Sequence, residues 1–207
     1  MYDFLLTPEQ RAVKAEAREF VNREITGDFL RRLDKDEIVY PREYVEKLAE
    51  LGLRGIRFPK EYGGRGLDWV AEVAATEEIG CLGMALGCAF VMSSIAGEAL
   101  NVFGTEEQKH RYLKPYIEGK LVAAEALTEP RGGSDFFGAM TRAELKGDHF
   151  VLNGTKRFVV GAEGADFFLV YCRTNFDESA HKYKKLSLLI VDRGPGVETE
   201  YLYGLMG

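Results

Sequence analysis

ALTEPRGGSDFFG, residues 126–138, is the stretch that decides the fold, because helical patterns precede it and strand patterns follow it. Within it, Gly132 and Gly133 can both adopt positive φ angles and turn successive backbone N–H groups toward an anion. Ser134 adds a hydroxyl donor, and Asp135 could brace the turn by accepting backbone hydrogen bonds. Two interpretations stay open: a loop that cradles a phosphate or pyrophosphate, or a tight turn between two strands, which composition alone favours.

The residues before this stretch, 1–120, show the spacing of amphipathic helices. Thr7–Gln10 predicts a capping box at the start of the first helix, and Gly52 and Gly104 are expected to end later ones. Pro115 should prevent the last helix from continuing normally. The predicted helices are Thr7 to about Ile25, Pro41–Leu51, a segment beginning at Asp68, a segment ending at Phe103 and a segment beginning at Thr105.

The residues after position 120 change to short apolar segments separated by glycine turns. Gly147-Asp148 and Asn153-Gly154 are turn signals of the kind that join antiparallel strands. We therefore predict an α+β chain, with an all-α N-terminal helical domain (1–120) followed by an incomplete antiparallel β-barrel or sandwich domain (121–207). The predicted strands are 121–128, 142–146, 149–152, 155–160, 167–172, 186–191 and 197–203.

Composition and charge exclude several classes of protein. The formal net charge is −6 and no basic stripe is present, so the sequence offers no binding surface for nucleic acid. Three cysteines without C-x-x-C spacing and three scattered histidines predict neither a disulfide framework nor a metal site. Together with the lack of a signal-peptide pattern, this favours a cytoplasmic location. The uncharged run Ile79–Gly97 is long enough to span a bilayer, but its many small residues favour a buried helix and no membrane span.

Local enzyme motifs give no catalytic residue. The chain contains no dinucleotide-binding G-x-G-x-x-G, no Walker loop and no G-x-S-x-G elbow. Glu125 and Glu129 lie four residues apart on an extended segment, so their pairing as general acid and base has little geometric support. For both carboxylates the sequence favours a solvated or capping role.

Taken together with other matches, the stretch 126–138 resembles the signature of the flavin-dependent acyl-CoA dehydrogenase family. The supporting matches fall in the family's order along the chain: Pro59–Leu67, Phe103–Leu113, Asn153–Lys156 and Pro195–Val197. The resemblance covers the whole chain but only the family's first two domains. It implies a longer protein whose C-terminal helical bundle supplies the catalytic glutamate, and no carboxylate of these 207 residues matches that base.

The resemblance implies an FAD-dependent oxidoreductase that converts an acyl-CoA thioester to its trans-2-enoyl-CoA. In the family a carboxylate removes the α-proton while hydride leaves the β-carbon for flavin N5. Electrons then pass to an electron-transferring flavoprotein, the expected partner. The full-length protein is expected to be a homo-oligomer, a dimer or tetramer, whereas these residues alone should be inactive and retain flavin poorly.

The resemblance also implies site residues. Phe158 stands where the family commonly has a ring-packing tryptophan, and Val160 where it has a threonine hydroxyl near flavin N5, so altered flavin tuning is expected. A roomy acyl pocket is implied by small residues of one helix, although a close helix crossing would use the same residues. The implied flavin contacts are Glu125, Ala126, Leu127, Thr128, Gly133, Ser134, Phe158, Val159 and Val160, and the implied substrate contacts are Ser134, Gly87, Cys88 and Val91.

Two alternatives to a dehydrogenase stay open. The chain could be a naturally short, non-catalytic homologue that serves as a binding or scaffold module. It could also belong to a related flavin-dependent acyl-CoA oxidase, which would pass electrons to oxygen. A stop codon immediately after Gly207 would favour the scaffold module over a dehydrogenase. Oxygen consumption by the full-length enzyme would distinguish the oxidase from a dehydrogenase.

Overall fold

The computed structural model of the chain describes residues 3–204, and their contacts form two compact units. The first unit is helical and extends to Val122, whereas the second, Ala123–Tyr203, holds the strands. The predicted α+β class is therefore confirmed.

The helical unit is built from short helices, two of which are interrupted by wider turns. The α-helices are α1 (Pro8–Glu24), α2 (Gly27–Asp34), α3 (Arg42–Glu50), α4 (Trp69–Ile79), α5 (Met84–Met92), α6 (Glu98–Phe103), α7 (Glu106–Gln108) and α8 (Lys114–Ile117). A π-helical turn, Ser93–Gly97, joins α5 to α6, and a second, Lys109–Leu113, joins α7 to α8.

Helix α1 begins as the sequence predicts. The Thr7 hydroxyl accepts a hydrogen bond from the Gln10 amide (3.2 Å), and the Thr7 amide donates to the Gln10 side chain (2.9 Å), which completes the capping box. Gln10 Nε2 also donates to Asp68 (2.7 Å), whose carboxylate caps α4 through the Ala71 amide (2.9 Å). The starts of the two helices are thereby tied together, and α1 packs along α4.

Two features of the helical unit differ from the sequence predictions. Helix α2 was not predicted; Phe29, Leu30 and Leu33 lie on one of its faces, but none of its residues is buried. The helix begins after Thr26, whose hydroxyl accepts from the Phe29 amide (3.1 Å). The last helix passes Pro115 and ends at Ile117. The π-helical turn just before the proline widens the helix there, which accommodates a residue that lacks an N–H donor.

The uncharged run noted in the sequence lies mostly in one continuous helical segment. Met84–Phe103 is long and apolar enough to cross a membrane by length and composition alone, a test that the core helices of soluble proteins also pass. Leu86, Phe90, Ala96 and Leu100 along this segment are buried in the helical unit.

The second unit contains an open, mixed five-stranded sheet within residues 123–203. Its strands are β1 (Ala123–Ala126), β2 (Arg142–Lys146), β3 (His149–Asn153), β4 (Phe167–Arg173) and β5 (Leu186–Asp192). The almost wholly buried β4 is the centre, antiparallel to β5 along its whole length and parallel to β1. Strands β2 and β3 form an antiparallel hairpin that joins β4 through the parallel pair Arg142 and Arg173.

The prediction of an incomplete antiparallel barrel or sandwich is therefore corrected in strand direction, because β1 and β2 pair with β4 in parallel. The chain leaves β1, forms the β2–β3 hairpin and only then returns as β4, and such a long crossover allows parallel pairing. Two predicted strands, 155–160 and 197–203, are wrong. Phe158 has a φ of 56°, which a strand does not permit, and the segment 197–203 has no ladder partner among the described residues.

Candidate functional site

The loop after β1 starts with a tight turn over Glu129–Gly132. The Glu129 amide donates to the Gly132 carbonyl (3.2 Å) and the Gly132 amide to the Glu129 carbonyl (2.9 Å). Gly132 has a φ of 152° and open space around its Cα, but Gly133 does not have a positive φ. The proposed pair of left-handed glycines is thus wrong for Gly133, whose added Cβ would instead lie 2.9 Å from the Thr128 hydroxyl.

Two hydroxyl groups of this loop are available to a ligand. Ser134 is exposed and Thr128 is half-buried, and neither side chain has a hydrogen-bond partner within residues 3–204. Asp135 does not brace the turn through amides as expected; its carboxylate instead pairs with Arg131 (2.6 Å). Arg131 also donates to the Gly138 carbonyl (3.3 Å), which closes the loop over 131–138.

Glu129 is buried, which contradicts the solvated or capping role that the sequence favours. Its carboxylate accepts hydrogen bonds from the amides of Met140 (2.6 Å) and Thr141 (2.8 Å) and from Lys156 Nζ (2.9 Å). Burial by itself would raise the pKa of Glu129, but the bonds from residues 140, 141 and 156 outweigh it and lower the pKa to about 2. Glu129 is therefore ionised at neutral pH while only 6% exposed.

The segment after β3 folds back onto the exit of β1. Lys156 Nζ donates to the Leu127 carbonyl (3.0 Å), and the Arg157 amide donates to the Thr128 carbonyl (2.7 Å). These bonds bring together two groups of predicted flavin contacts that the sequence separates by about thirty residues. The sequence does not predict that Glu129 and Lys156 are partners. Glu129 lies within the stretch 126–138, and Lys156 ends the stretch Asn153–Lys156 that resembles a family motif.

Phe158 presents an aromatic ring at this junction. Its ring is 52% exposed, and its φ of 56° lies in the left-handed region, which a bulky residue rarely adopts. The ring of Tyr203 packs against it at a tilt, with 4.8 Å between the ring centres, and the Arg157 guanidinium lies over both rings. Arg157 Nε is buried and has no hydrogen-bond partner in the described part of the chain. Nearby Val160 is 42% exposed, and its side chain has no hydrogen-bonding group.

The remaining predicted flavin contacts are less accessible. Ala126 is buried in β1. Glu125 is half-buried beside Tyr171, and burial together with this carboxylate raises the pKa of the Tyr171 hydroxyl. Val159 is also half-buried.

The predicted substrate contacts other than Ser134 lie in the helical unit. Gly87, Cys88 and Val91 are half-buried on one side of α5, since positions 87, 88 and 91 fall on one helical face. A Cβ at Gly87 would lie 3.9 Å from Gly80 Cα, an ordinary contact distance, so helix crossing alone does not require glycine here. Among residues 3–204, no cluster of histidine, cysteine or carboxylate side chains could hold a metal ion.

Comparison with known proteins agrees with the resemblance. Residues 7–120 match the family model for the acyl-CoA dehydrogenase N-terminal domain, and residues 124–207 match that for the middle domain. The short-chain specific acyl-CoA dehydrogenase of Clostridium acetobutylicum is 37% identical over 196 residues, which are 93% of this chain and 50% of that protein. The caffeyl-CoA reductase-Etf complex subunit CarC of Acetobacterium woodii is 36% identical, over 96% of this chain and 53% of that subunit.

A solved structure extends the likeness to three dimensions. The glutaryl-CoA dehydrogenase of Mycobacterium smegmatis in complex with FADH2 superimposes with a TM-score of 0.79 at 25% identity, over 92% of this chain and 47% of that one. The chain spans about half the length of the curated relatives it matches. It belongs to the acyl-CoA dehydrogenase family of oxidoreductases.

Proposed function

We propose that this chain provides the N-terminal helical domain (1–120) and the middle β-domain (121–207) of an FAD-dependent acyl-CoA dehydrogenase. The proposed reaction is α,β-dehydrogenation of an acyl-CoA thioester to trans-2-enoyl-CoA. No residue of the chain is assigned as the catalytic base, and the 207 residues alone are expected to be inactive.

The observation that carries the proposal is the junction between the exit of β1 and the segment 156–158. The bonds from Lys156 to Leu127 and from Arg157 to Thr128 bring a free hydroxyl next to the segment that bears an exposed aromatic ring. A flat, partly polar ring system needs such a combination of an apolar face and hydrogen-bond donors.

The residues of the β unit fit a flavin. Arg157 Nε is an orphaned buried donor, and the hydroxyls of Thr128 and Ser134 lack protein partners among the described residues. We assign Thr128 and the backbone at Leu127 to the pyrimidine end of the ring, and Phe158 with Val159 and Val160 to its apolar surface. Gly133 and Ser134 are assigned to the pyrophosphate or thioester. When bound, FAD would supply the hydride acceptor of the reaction.

The chain's own residues would orient the reactants and tune the cofactor. The hydroxyl of Thr128 is a neutral donor that can stabilise negative charge developing at the pyrimidine end. Val160 cannot donate a hydrogen bond, so that stabilisation near N5 is expected to be weaker here than with a threonine. Gly87, Cys88 and Val91 are assigned to the acyl pocket, where small side chains leave room for the substrate.

The remaining proposals concern the whole protein. We assign it an electron-transferring flavoprotein as acceptor, which the name of the Acetobacterium relative supports. We also propose a cytoplasmic homo-oligomer, a dimer or tetramer, without a membrane span. The similarity to bacterial relatives such as the Clostridium acetobutylicum enzyme supports the location.

The deciding experiment extends the chain. We would read the coding sequence beyond Gly207, express the longer protein, and assay acyl-CoA oxidation with a dye acceptor across acyl-chain lengths, along with the reverse reduction of enoyl-CoA. Activity that needs bound FAD and is absent from the 207-residue chain supports the proposal. A stop codon directly after Gly207 would favour the scaffold module, and turnover that consumes oxygen at the same rate without the dye would favour the oxidase.

A further inference from the structure

Two segments of the proposed flavin site are not joined by any β-ladder in the described chain. Leu127 and Thr128 follow the end of β1, and the segment 156–158 follows the end of β3. Among the described residues, two hydrogen bonds join them directly, from Lys156 Nζ to the Leu127 carbonyl and from the Arg157 amide to the Thr128 carbonyl. A single hydrogen bond between irregular segments opens easily unless something else holds it.

Lys156 is itself held by a buried carboxylate. The side chains of Lys156 and Glu129 are 9% and 7% exposed, and Nζ lies 2.9 Å from Oε1. Glu129 cannot follow a moving lysine, because the amides of Met140 and Thr141 fix both of its oxygens at 2.6 and 2.8 Å. The ammonium is thus anchored to a rigid acceptor on one side and to the Leu127 carbonyl on the other.

We propose that Glu129 and Lys156 act as a positioning clamp that sets the backbone at Leu127 and Thr128 against the segment bearing Phe158. Neither residue is assigned a contact with flavin or substrate; they act through the two segments that they join. The clamp rests on the proposed function for its purpose, since it positions the residues assigned there to the flavin.

The geometry favours a positioning role over charge neutralisation alone. An ammonium has three donors, and Lys156 uses one for the carboxylate and another for a main-chain carbonyl of the assigned flavin segment. Pairing with Glu129 alone would not require the second bond. Loss of the ammonium should therefore loosen the junction, while the two amides of residues 140 and 141 still hold the carboxylate.

The first test needs no flavin. In the 207-residue chain, Lys156→Met keeps the aliphatic stem and removes the ammonium. We expect amide hydrogen exchange at Arg157 to speed up by about 10- to 100-fold, the effect of losing a hydrogen bond to a charged group. Arg173→Met, which breaks the more exposed pair with Glu178 in the same unit, should leave exchange at Arg157 unchanged. Unchanged exchange at Arg157 in Lys156→Met overturns the clamp.

The second test asks whether the clamp acts on the flavin site beyond general stability. Leu169→Ala is the matched control, because it removes a buried side chain from β4 and destabilises the same unit without touching the clamp. With the longer protein, we expect Lys156→Met to weaken FAD binding about tenfold or more, because one hydrogen bond to a charged group is lost. We also expect it to change the visible circular dichroism of bound flavin. Leu169→Ala should change neither at temperatures where it is folded.

The outcomes separate the two proposals. Equal FAD affinity and spectra in Lys156→Met and the parent overturn the positioning role, as do equal losses in Lys156→Met and Leu169→Ala. Lys156→Arg keeps the charge and should recover part of the affinity. If the parent binds no FAD, the proposed function fails and the clamp loses its flavin role, whereas the exchange experiment still shows whether the junction is held together.

Discussion

The helical unit and the β unit both contain a buried ion pair, and these two pairs differ in an instructive way. In the helical unit Arg57 Nε lies 2.7 Å from Glu72, with side chains 6% and 7% exposed. The β-unit pair, Lys156 and Glu129, is equally buried. Yet the pKa of Glu129 is lowered to about 2, whereas burial raises the pKa of Glu72 despite the guanidinium.

The difference lies in the other donors around each carboxylate. Glu129 receives two backbone amides, which are fixed dipoles that remain whatever the lysine does. Within residues 3–204, the Glu72 carboxylate accepts hydrogen bonds only from the Ser94 hydroxyl and Arg57, and Arg57 is shared with Glu98 (2.9 Å). The donors from Thr141, Met140 and Lys156 therefore lower the pKa of Glu129 despite its burial, whereas burial and the nearby Glu98 carboxylate outweigh Arg57 and raise the pKa of Glu72.

The largest effect is expected from Arg57→Met, which would leave two carboxylates without their cation. It also removes the stacking of the guanidinium on Trp69, at 3.3 Å from the ring centre. We expect a loss of about 4 kcal/mol in unfolding free energy, within the range for breaking a buried pair. Trp69, the chain's single tryptophan, reports urea unfolding of this unit by its fluorescence. Arg18→Met, which breaks a pair with an exposed arginine, is the control and should cost far less.

Lys156→Met should cost somewhat less, about 3 kcal/mol, because the two amides continue to stabilise the Glu129 carboxylate. Amide exchange in the β4–β5 ladder measures the unfolding free energy of this unit. A loss equal to or greater than that of Arg57→Met would contradict the importance assigned to the backbone donors.

The two pairs should also respond to pH with opposite signs. The depressed pKa of Glu129 means that the unfolded chain binds a proton between about pH 4.5 and 2 while the folded chain does not. The stabilisation by Glu129 is therefore complete at neutral pH, and about 2 kcal/mol of it is lost on going from neutral pH to pH 3. Glu129→Gln should remove this slope from the exchange-derived stability of the β unit.

Glu72 has the reverse sign. Its raised pKa means that the folded chain holds a proton that the unfolded chain has released, so this group's contribution to stability falls as pH rises through and above its ordinary range. Glu72→Gln should therefore flatten a decline in the stability of the helical unit, measured by Trp69 fluorescence. Parallel pH slopes in the two units would show that the backbone donors do not set the difference.

The distance along the chain between interacting residues explains what the sequence could predict. Local signals, such as the capping box at Thr7 and the Gly147-Asp148 turn, act within a few residues and gave correct helix starts and a correct hairpin. The parallel pairing of β1 with β4 could not be predicted, because it depends on residues more than forty positions apart. Similarly, the sequence predicts a strand over 155–160, but the long-range bond from Lys156 to Glu129 holds that segment in an irregular path.

The site shows the same division between local and distant determinants. The stretch 126–138 predicted the loop, and Gly132 and Ser134 are exposed on its surface. The sequence missed the burial of Glu129, because its amide donors come from residues 140 and 141, whose backbone direction no motif encodes. The same limit applies to Phe158. The sequence predicts a strand there, whereas in the structure Phe158 has a positive φ and is exposed at the junction.

The smallest effect is expected at Arg131, which forms an ion pair with Asp135 in the same loop as Glu129. This pair is similar in length to that of Lys156 and Glu129, but it is exposed to solvent. The side chains of Arg131 and Asp135 are 53% and 63% exposed, so solvent screens the pair and replaces its hydrogen bonds. Arg131→Ala should change the unfolding free energy of the β unit by at most about 0.5 kcal/mol, measured by the same exchange of β4–β5 amides. A loss approaching that of Lys156→Met would mean that the charge pair itself, and not burial with fixed backbone donors, stabilises this loop.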